Sequence, residues 1–286
     1  MLNQKMFPIG PSNYDDFFSN QLTQTLPHEM SRSMSEVVNN IKDDGLVSYM
    51  INSSDFRCDE LVTDHDGLHV LFTGCSETFG TGIQAEDSWA RLVYDRLSKD
   101  VKLSGYFNIA KEGSGYDIIL SDLSKYIIHS GVPDYIFMLM PTTHRLHQWV
   151  PDSDSWSDLG VANHPIYVNR KEPVLINKES TLQNFDIRLY SSNLFNIYVE
   201  MKILETLFNK LGTKLIWSTW SKEDAIAIER FSHFTNYISL TNDLEDLLYK
   251  DSQTFISTRG RDGVHSGKWV HNYWYEKFYN KLLELK

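Results

Sequence analysis

The chain has 286 residues, 41% of them hydrophobic and 13% aromatic, which is enough to bury one large core. A formal charge of −11 and a pI near 5.3, with no run of Lys and Arg, exclude nucleic acid as an expected partner. Two cysteines, Cys58 and Cys75, supply neither a disulfide framework nor zinc-ligand spacing, so a reducing compartment is the natural reading.

In chain order, the opening MLNQKMFPIG lacks the basic and then apolar pattern of a secretory signal, and no later segment reaches about 18 uninterrupted apolar residues. A soluble, cytoplasmic protein with no membrane partner is expected. Residues 1–66 are polar and irregular, carry Pro8, Pro11 and Pro27, and are read as a leader that wraps the domain. From Leu68 the pattern changes. A strand over 68–73 is followed by a helix from about Asp87, where Trp89, Leu92, Val93 and Leu97 share a face and Asp87 or Ser88 caps the start. A short strand over 106–110 precedes a helix from about Tyr116, with Ile119, Leu123, Tyr126 and Ile127 on one side and Gly131 as its stop. The unbroken apolar run 135–140 suits a strand covered on both faces.

Residues 141–192 then show little periodicity and read as an insertion, about 142–192, within a domain spanning 67–286. A helix resumes from Leu194, with Ile197, Tyr198, Met201, Leu204, Phe208 and Leu211 in phase and Gly212 just past its end. Residues 214–220 form a fourth strand, 237–240 a short fifth, and Val270, Trp274, Phe278 and Leu282 mark a final helix. Alternating strands and helices imply a three-layer α/β/α sandwich around a mainly parallel, flavodoxin-like sheet.

In such sheets chemistry collects where the strands end. Ser76 lies just past the first strand, Gly113 and Ser114 past the second, Thr142 and Thr143 past the third, and Asp262 with His265 on the loop before the last helix. A serine hydroxyl is a weak nucleophile at neutral pH and needs a base within about 2.6–3.2 Å, for which histidine titrates in the right range. Ser76 as nucleophile, His265 as base and Asp262 as the carboxylate that orients the imidazole make a complete set for acyl transfer.

These residues resemble those of the SGNH (GDSL-like) hydrolase family. Gly74, Cys75 and Ser76 match its Gly-Asp-Ser block, with Cys75 in place of the aspartate, and Asp262, Gly263, Val264 and His265 match its late Asp-x-x-His block. FNIAKEGSG resembles the block whose glycine N–H enters the oxyanion hole, with Gly113 in that position, and YMINSSDFR, residues 49–57, resembles a lead segment of some microbial relatives. The resemblance covers roughly 49–141 and 194–284. It implies backbone donors from Ser76 and Gly113 to the oxyanion, each type of donor often being worth about 2.7–4 kcal/mol. The family's Gly-x-Asn-Asp block is replaced by Met140, Pro141, Thr142, Thr143, His144 and Arg145. Thr142 or Thr143 then offers a hydroxyl in place of the asparagine amide, and Arg145 anchors the substrate or the loop.

The resemblance implies a serine esterase that cleaves small acyl, acetyl-type esters from a carbohydrate, its partner being a small-molecule or glycan ester, with no cofactor. A lipid or thioester hydrolase, and an idle relative that binds or builds, stand as alternatives. Trp149, Trp156 and Tyr167 offer rings that stack on a sugar or pin the insertion to the body. Asp64, His65, Asp66 and His69, like His144 and His147, lack a complete metal-ligand set and read as exposed loop residues, so no metal is expected. Gly74, Gly80 and Gly82 fit neither a Walker loop nor GxGxxG. Cys75 reads as a small buried residue beside a strand rather than as a thiol nucleophile. The oligomeric state is not legible.

Overall fold

The computed structural model describes residues 47, 49–143, 145–150, 155–161, 179–231, 234–240 and 265–285, with the backbone alone for 146–150, 155–161, 179–193, 222–223 and 231. A parallel sheet forms its centre. Strands β1 (Val70–Gly74), β2 (Phe107–Asn108), β3 (Tyr135–Met140) and β6 (Lys214–Thr219) lie in the order β2-β1-β3-β6, all parallel. Beyond β6, Tyr237 extends the sheet by a single bridge to Trp217, through Trp217 N–H to Asn236 O at 3.1 Å and Ile238 N–H to Trp217 O at 2.9 Å. The fifth strand expected over 237–240 is reduced to that bridge.

The helices are α1 (Ser76–Phe79), α2 (Trp89–Leu97), α3 (Tyr116–Ser130), α4 (Glu179–Leu211), α5 (Lys222–Phe231) and α6 (Lys268–Glu284), with a 3-10 turn at Ala85–Asp87. Strand periodicity divides them between two layers. Leu71, Ile136, Met138, Met140, Leu215 and Trp217 face one way and pack with Ile119 and Leu123 of α3, Met201 and Phe208 of α4 and Ile228 of α5. Val70, Phe72, Phe137, Leu139 and Ile216 face the other way and pack with Trp89 and Val93 of α2 and Trp274 and Phe278 of α6. On this second face the Trp89 and Phe278 rings stack at 4.4 Å, and those of Phe72 and Phe137 at 5.2 Å. Because both faces are covered, every residue of β1 is buried, as the unbroken apolar runs require. The three-layer α/β/α sandwich follows.

Local chemistry sets the ends of these elements. Ser88 caps α2, its side chain accepting from Arg91 N–H, and Gly131 closes α3 at φ +83°, a conformation that costs glycine little. Two differences from the sequence reading fall between 141 and 192. Strands β4 (Arg145–Val150) and β5 (Ser155–Val161) pair as an antiparallel hairpin, and α4 begins at Glu179, ahead of the expected Leu194. Part of the segment read as a leader belongs to the body: Phe56 is fully buried in the first core layer and Arg57 is buried beside α1. Among the described residues, no helix is long and apolar enough to cross a membrane.

Candidate active site

The strand order reverses between β1 and β3, whose carboxyl ends therefore flank a natural crevice. Ser76 opens α1 at one side of it. Gly74 ends β1 in a place that only glycine fits, since a Cβ there would lie 2.6 Å from the backbone oxygen of Leu139 on the neighbouring strand. Cys75 then turns the chain: its carbonyl accepts Thr78 N–H and Phe79 N–H, each at 2.9 Å, so α1 starts at once and Ser76 is its first residue. The Ser76 side chain is 3% exposed, and its Oγ lies a long 3.9 Å from Cys75 Sγ. Cys75 is fully buried and its sulfur also accepts Trp220 Nε1–H at 3.4 Å, which ties the end of β6 to the serine turn.

Several residues outside the expected set hold this turn. The Arg57 guanidinium donates through Nη1 to Phe79 O at 3.2 Å and Gly80 O at 2.7 Å, and through Nη2 to Ile83 O at 3.0 Å, closing the C-terminal end of α1. Its other face stacks on the Tyr49 ring at 4.5 Å, and Tyr49 Oη accepts Gly82 N–H at 2.9 Å. Asn108, at the end of β2, donates its amide to Thr78 O at 2.9 Å. The Thr81 hydroxyl donates to the Glu112 carboxylate, which joins the serine loop to the turn that carries Gly113. Advance signs of these anchors were the lead segment YMINSSDFR, which contains Tyr49 and Arg57, and the block FNIAKEGSG, which contains Asn108 and Glu112.

Gly113 has φ +71° and open space where a Cβ would stand, so its left-handed backbone is what calls for glycine. Thr143 is buried and both its polar groups go to Asp224: N–H at 2.8 Å and Oγ1 at 2.7 Å. A hydroxyl has one proton, and here that proton is directed to Asp224, itself fully buried. Thr142 is half-buried, and its carbonyl accepts Arg145 N–H at 3.1 Å. Arg145 is half-buried too, with Nη1 shielded and without a hydrogen-bond partner among the described residues.

His265 is half-buried on the approach to α6. The backbone N–H of the next residue, Ser266, donates to Glu77 Oε2 at 3.3 Å, so the histidine's loop is fixed to the residue after Ser76. The same carboxylate oxygen is 3.9 Å from Nε2 of His271. His271 is wholly buried, its Nδ1 accepts Trp89 N–H at 3.1 Å, and burial first, then the charges of Arg57 and His265, hold its pKa down at about 3. Asp262, His144 and Tyr167 lie outside the described residues. Trp149 and Trp156 are described by backbone alone, and they are register partners in the β4–β5 hairpin.

Comparison with known proteins adds likenesses of shape. No family model matches the chain, and no curated protein matches it. Among solved structures, TesA is similar at a TM-score of 0.40 with 14% identity, over 76% of this chain and 99% of that one. A mutant of Axe2, described as an acetyl-xylooligosaccharide esterase from Geobacillus Stearmophilus, is similar at 0.43 with 12% identity, over 77% of this chain and 96% of that one. At these scores the functional reading rests on this chain's own residues.

Two of the histidines expected on exposed loops, His65 and His69, are tied into the body. His69 is 4% exposed, stacks on His65 with ring centroids 3.5 Å apart, and meets Tyr126 Oη through Nε2 at 2.7 Å. His65 Nε2 meets Ser130 O at 2.7 Å. Both sit at the amino end of β1, across the sheet from Ser76, because the residue entering a central strand is already enclosed by α3. Among the described residues, no three His, Cys, Asp or Glu side chains are grouped to hold a metal.

Proposed function

We propose that the chain is a serine esterase of the SGNH type, removing small acyl groups, acetyl foremost, from a carbohydrate. The observation that carries this reading is the hydrogen bond from Ser266 N–H to Glu77, which brings the loop bearing His265 to the helix that Ser76 opens. It is supported by the setting, a turn at the carboxyl end of a central parallel strand beside the reversal of strand order.

In the proposed cycle Ser76 Oγ attacks the ester carbonyl carbon while its proton passes to the His265 ring. The oxyanion is held by the Ser76 and Gly113 backbone N–H groups and by the Thr142 hydroxyl, since that of Thr143 is spent on Asp224. Collapse breaks the ester C–O bond, and the leaving alkoxide takes the proton from the imidazolium. Water then attacks the acyl-enzyme, gives one proton to His265, and releases the acid as Ser76 is reprotonated. Asp262 orients the imidazole. Arg145, with a shielded nitrogen in want of an acceptor, binds a substrate oxygen. Trp149 and Trp156, paired across the hairpin, supply sugar-stacking rings.

The test is covalent. A fluorophosphonate probe should label Ser76 in the intact protein, and Ser76→Ala should abolish both labelling and turnover of p-nitrophenyl acetate while Cys75→Ala retains them. Essential Cys75 with dispensable Ser76 would overturn the assignment. One observation favours a second reading, an idle binding protein: the Thr143 hydroxyl is committed elsewhere, which leaves fewer oxyanion donors. An idle protein would leave the probe unreacted.

A further inference from the structure

The proposed cycle gives no role to the carboxylate next to the nucleophile in the chain. Glu77 follows Ser76 directly, its side chain is 13% exposed, and its Oε2 accepts the N–H one residue past His265. Covalent geometry keeps the His265 ring within roughly 8 Å of that carboxylate. On its other side Glu77 faces His271 Nε2. Because His271 Nδ1 accepts Trp89 N–H, the single ring proton of the neutral imidazole must sit on Nε2, so Glu77 meets the positive end of a fixed dipole. His271 thereby fastens α6 to the start of α2, while its Nε2 stands 3.9 Å from the carboxylate, beyond hydrogen-bond distance. The neighbouring charges have their own contacts: Arg57 closes the far end of α1, Lys268 pairs with Asp87 at 2.7 Å, and Glu112 takes the Thr81 hydroxyl.

On the reading of Ser76 as nucleophile and His265 as base, we infer that Glu77 is a positioning residue for His265. Its carboxylate clamps the histidine loop against the first turn of α1, and its negative charge stabilises the imidazolium formed when Ser76 loses its proton. A nearby negative charge favours the charged form of a histidine, more strongly the closer it lies, so removing it should lower the His265 pKa.

The experiment is a titration of the histidine rings by NMR in the full chain, with His265→Ala to assign the signal, comparing wild type with Glu77→Gln. Gln keeps an oxygen for Ser266 N–H and loses only the charge. The expected result is a His265 pKa lower by roughly 0.5–1 unit, the acid limb of kcat/KM moving down by the same amount, and kcat falling about tenfold with KM nearly unchanged. A His265 pKa within about 0.2 unit of wild type overturns the inference. Should Glu77→Gln fail to fold, Glu77→Asp keeps the charge but ends one methylene short of Ser266. Wild-type kcat and His265 pKa in that variant would likewise overturn it. If the wild-type protein neither labels nor turns over ester, the hydrolase reading fails by itself, and the NMR comparison still decides whether Glu77 and His265 are coupled.

Discussion

Thr142 and Thr143 are adjacent in the chain and chemically alike, and the fold buries the second while leaving the first half-buried. Thr143 delivers N–H and hydroxyl to a fully buried carboxylate, so Thr143→Val should act on stability: Asp224 keeps the backbone bond and loses the charged acceptor's second partner, costing about 1–3 kcal/mol. Urea unfolding would measure it, and an unchanged midpoint would refute the role. On the proposed cycle, Thr142→Val should lower kcat by roughly 10–10³-fold with little change in KM, since an oxyanion donor acts mainly in the transition state. Full activity in that variant would leave the oxyanion to the backbone donors alone.

Among elements, α1 is the least able to stand by itself. Four residues make one turn, with no side-chain cap at its start, so its stability comes from neighbours that hold its carbonyls. Arg57 is the principal one. Arg57→Ala would remove the guanidinium donors from three backbone oxygens and the stacking on Tyr49, for an expected loss of about 3 kcal/mol or more. Arg57→Lys should recover little of it, because an ammonium cannot span Phe79, Gly80 and Ile83 as a planar fork does. Wild-type unfolding midpoints in both variants would show that the turn is held by other means.

At the scale of the whole molecule, acid should unfold this protein through its buried histidines. Burial, reinforced by His65, lowers the His69 pKa to about 4, and burial lowers that of His271 to about 3. Both values lie below the unfolded value near 6.5, so the unfolded chain binds more protons in between and stability rises with pH across that window. The contribution is complete above about pH 6.5 and is lost as pH falls toward 4 and then 3, each histidine adding at most about 1.4 kcal/mol per pH unit. Thermal unfolding should give a Tm that is level above pH 7 and drops between pH 6.5 and 5. A level Tm down to pH 5 would contradict this account.

The apolar runs 68–73 and 135–140 and the phased faces around Trp89, Ile119 and Trp274 announced the sandwich, because burial on one or both sides writes its period directly into the sequence. The hairpin escaped for a local reason: its register skips Leu159 on β5, where the partner passes from Gly160 opposite Leu146 to Asp158 opposite His147, so the pairing is irregular over that short strand. The early start of α4 was hidden by Ser191, Ser192 and Asn193, poor helix formers that read as a break, although Leu182, Phe185 and Leu189 keep helical spacing ahead of them. The places of Ser76 just past β1 and of His265 ahead of α6 were legible, because both follow from where the neighbouring apolar elements end. The partners of the serine turn were not: Glu77 to Ser266, Trp220 to Cys75, Thr143 to Asp224 and Arg57 to Gly80 join residues from 23 to 189 positions apart. Periodicity records which face of an element is buried, while the pairing of distant polar groups is decided only when the packed layers fix the distances between them.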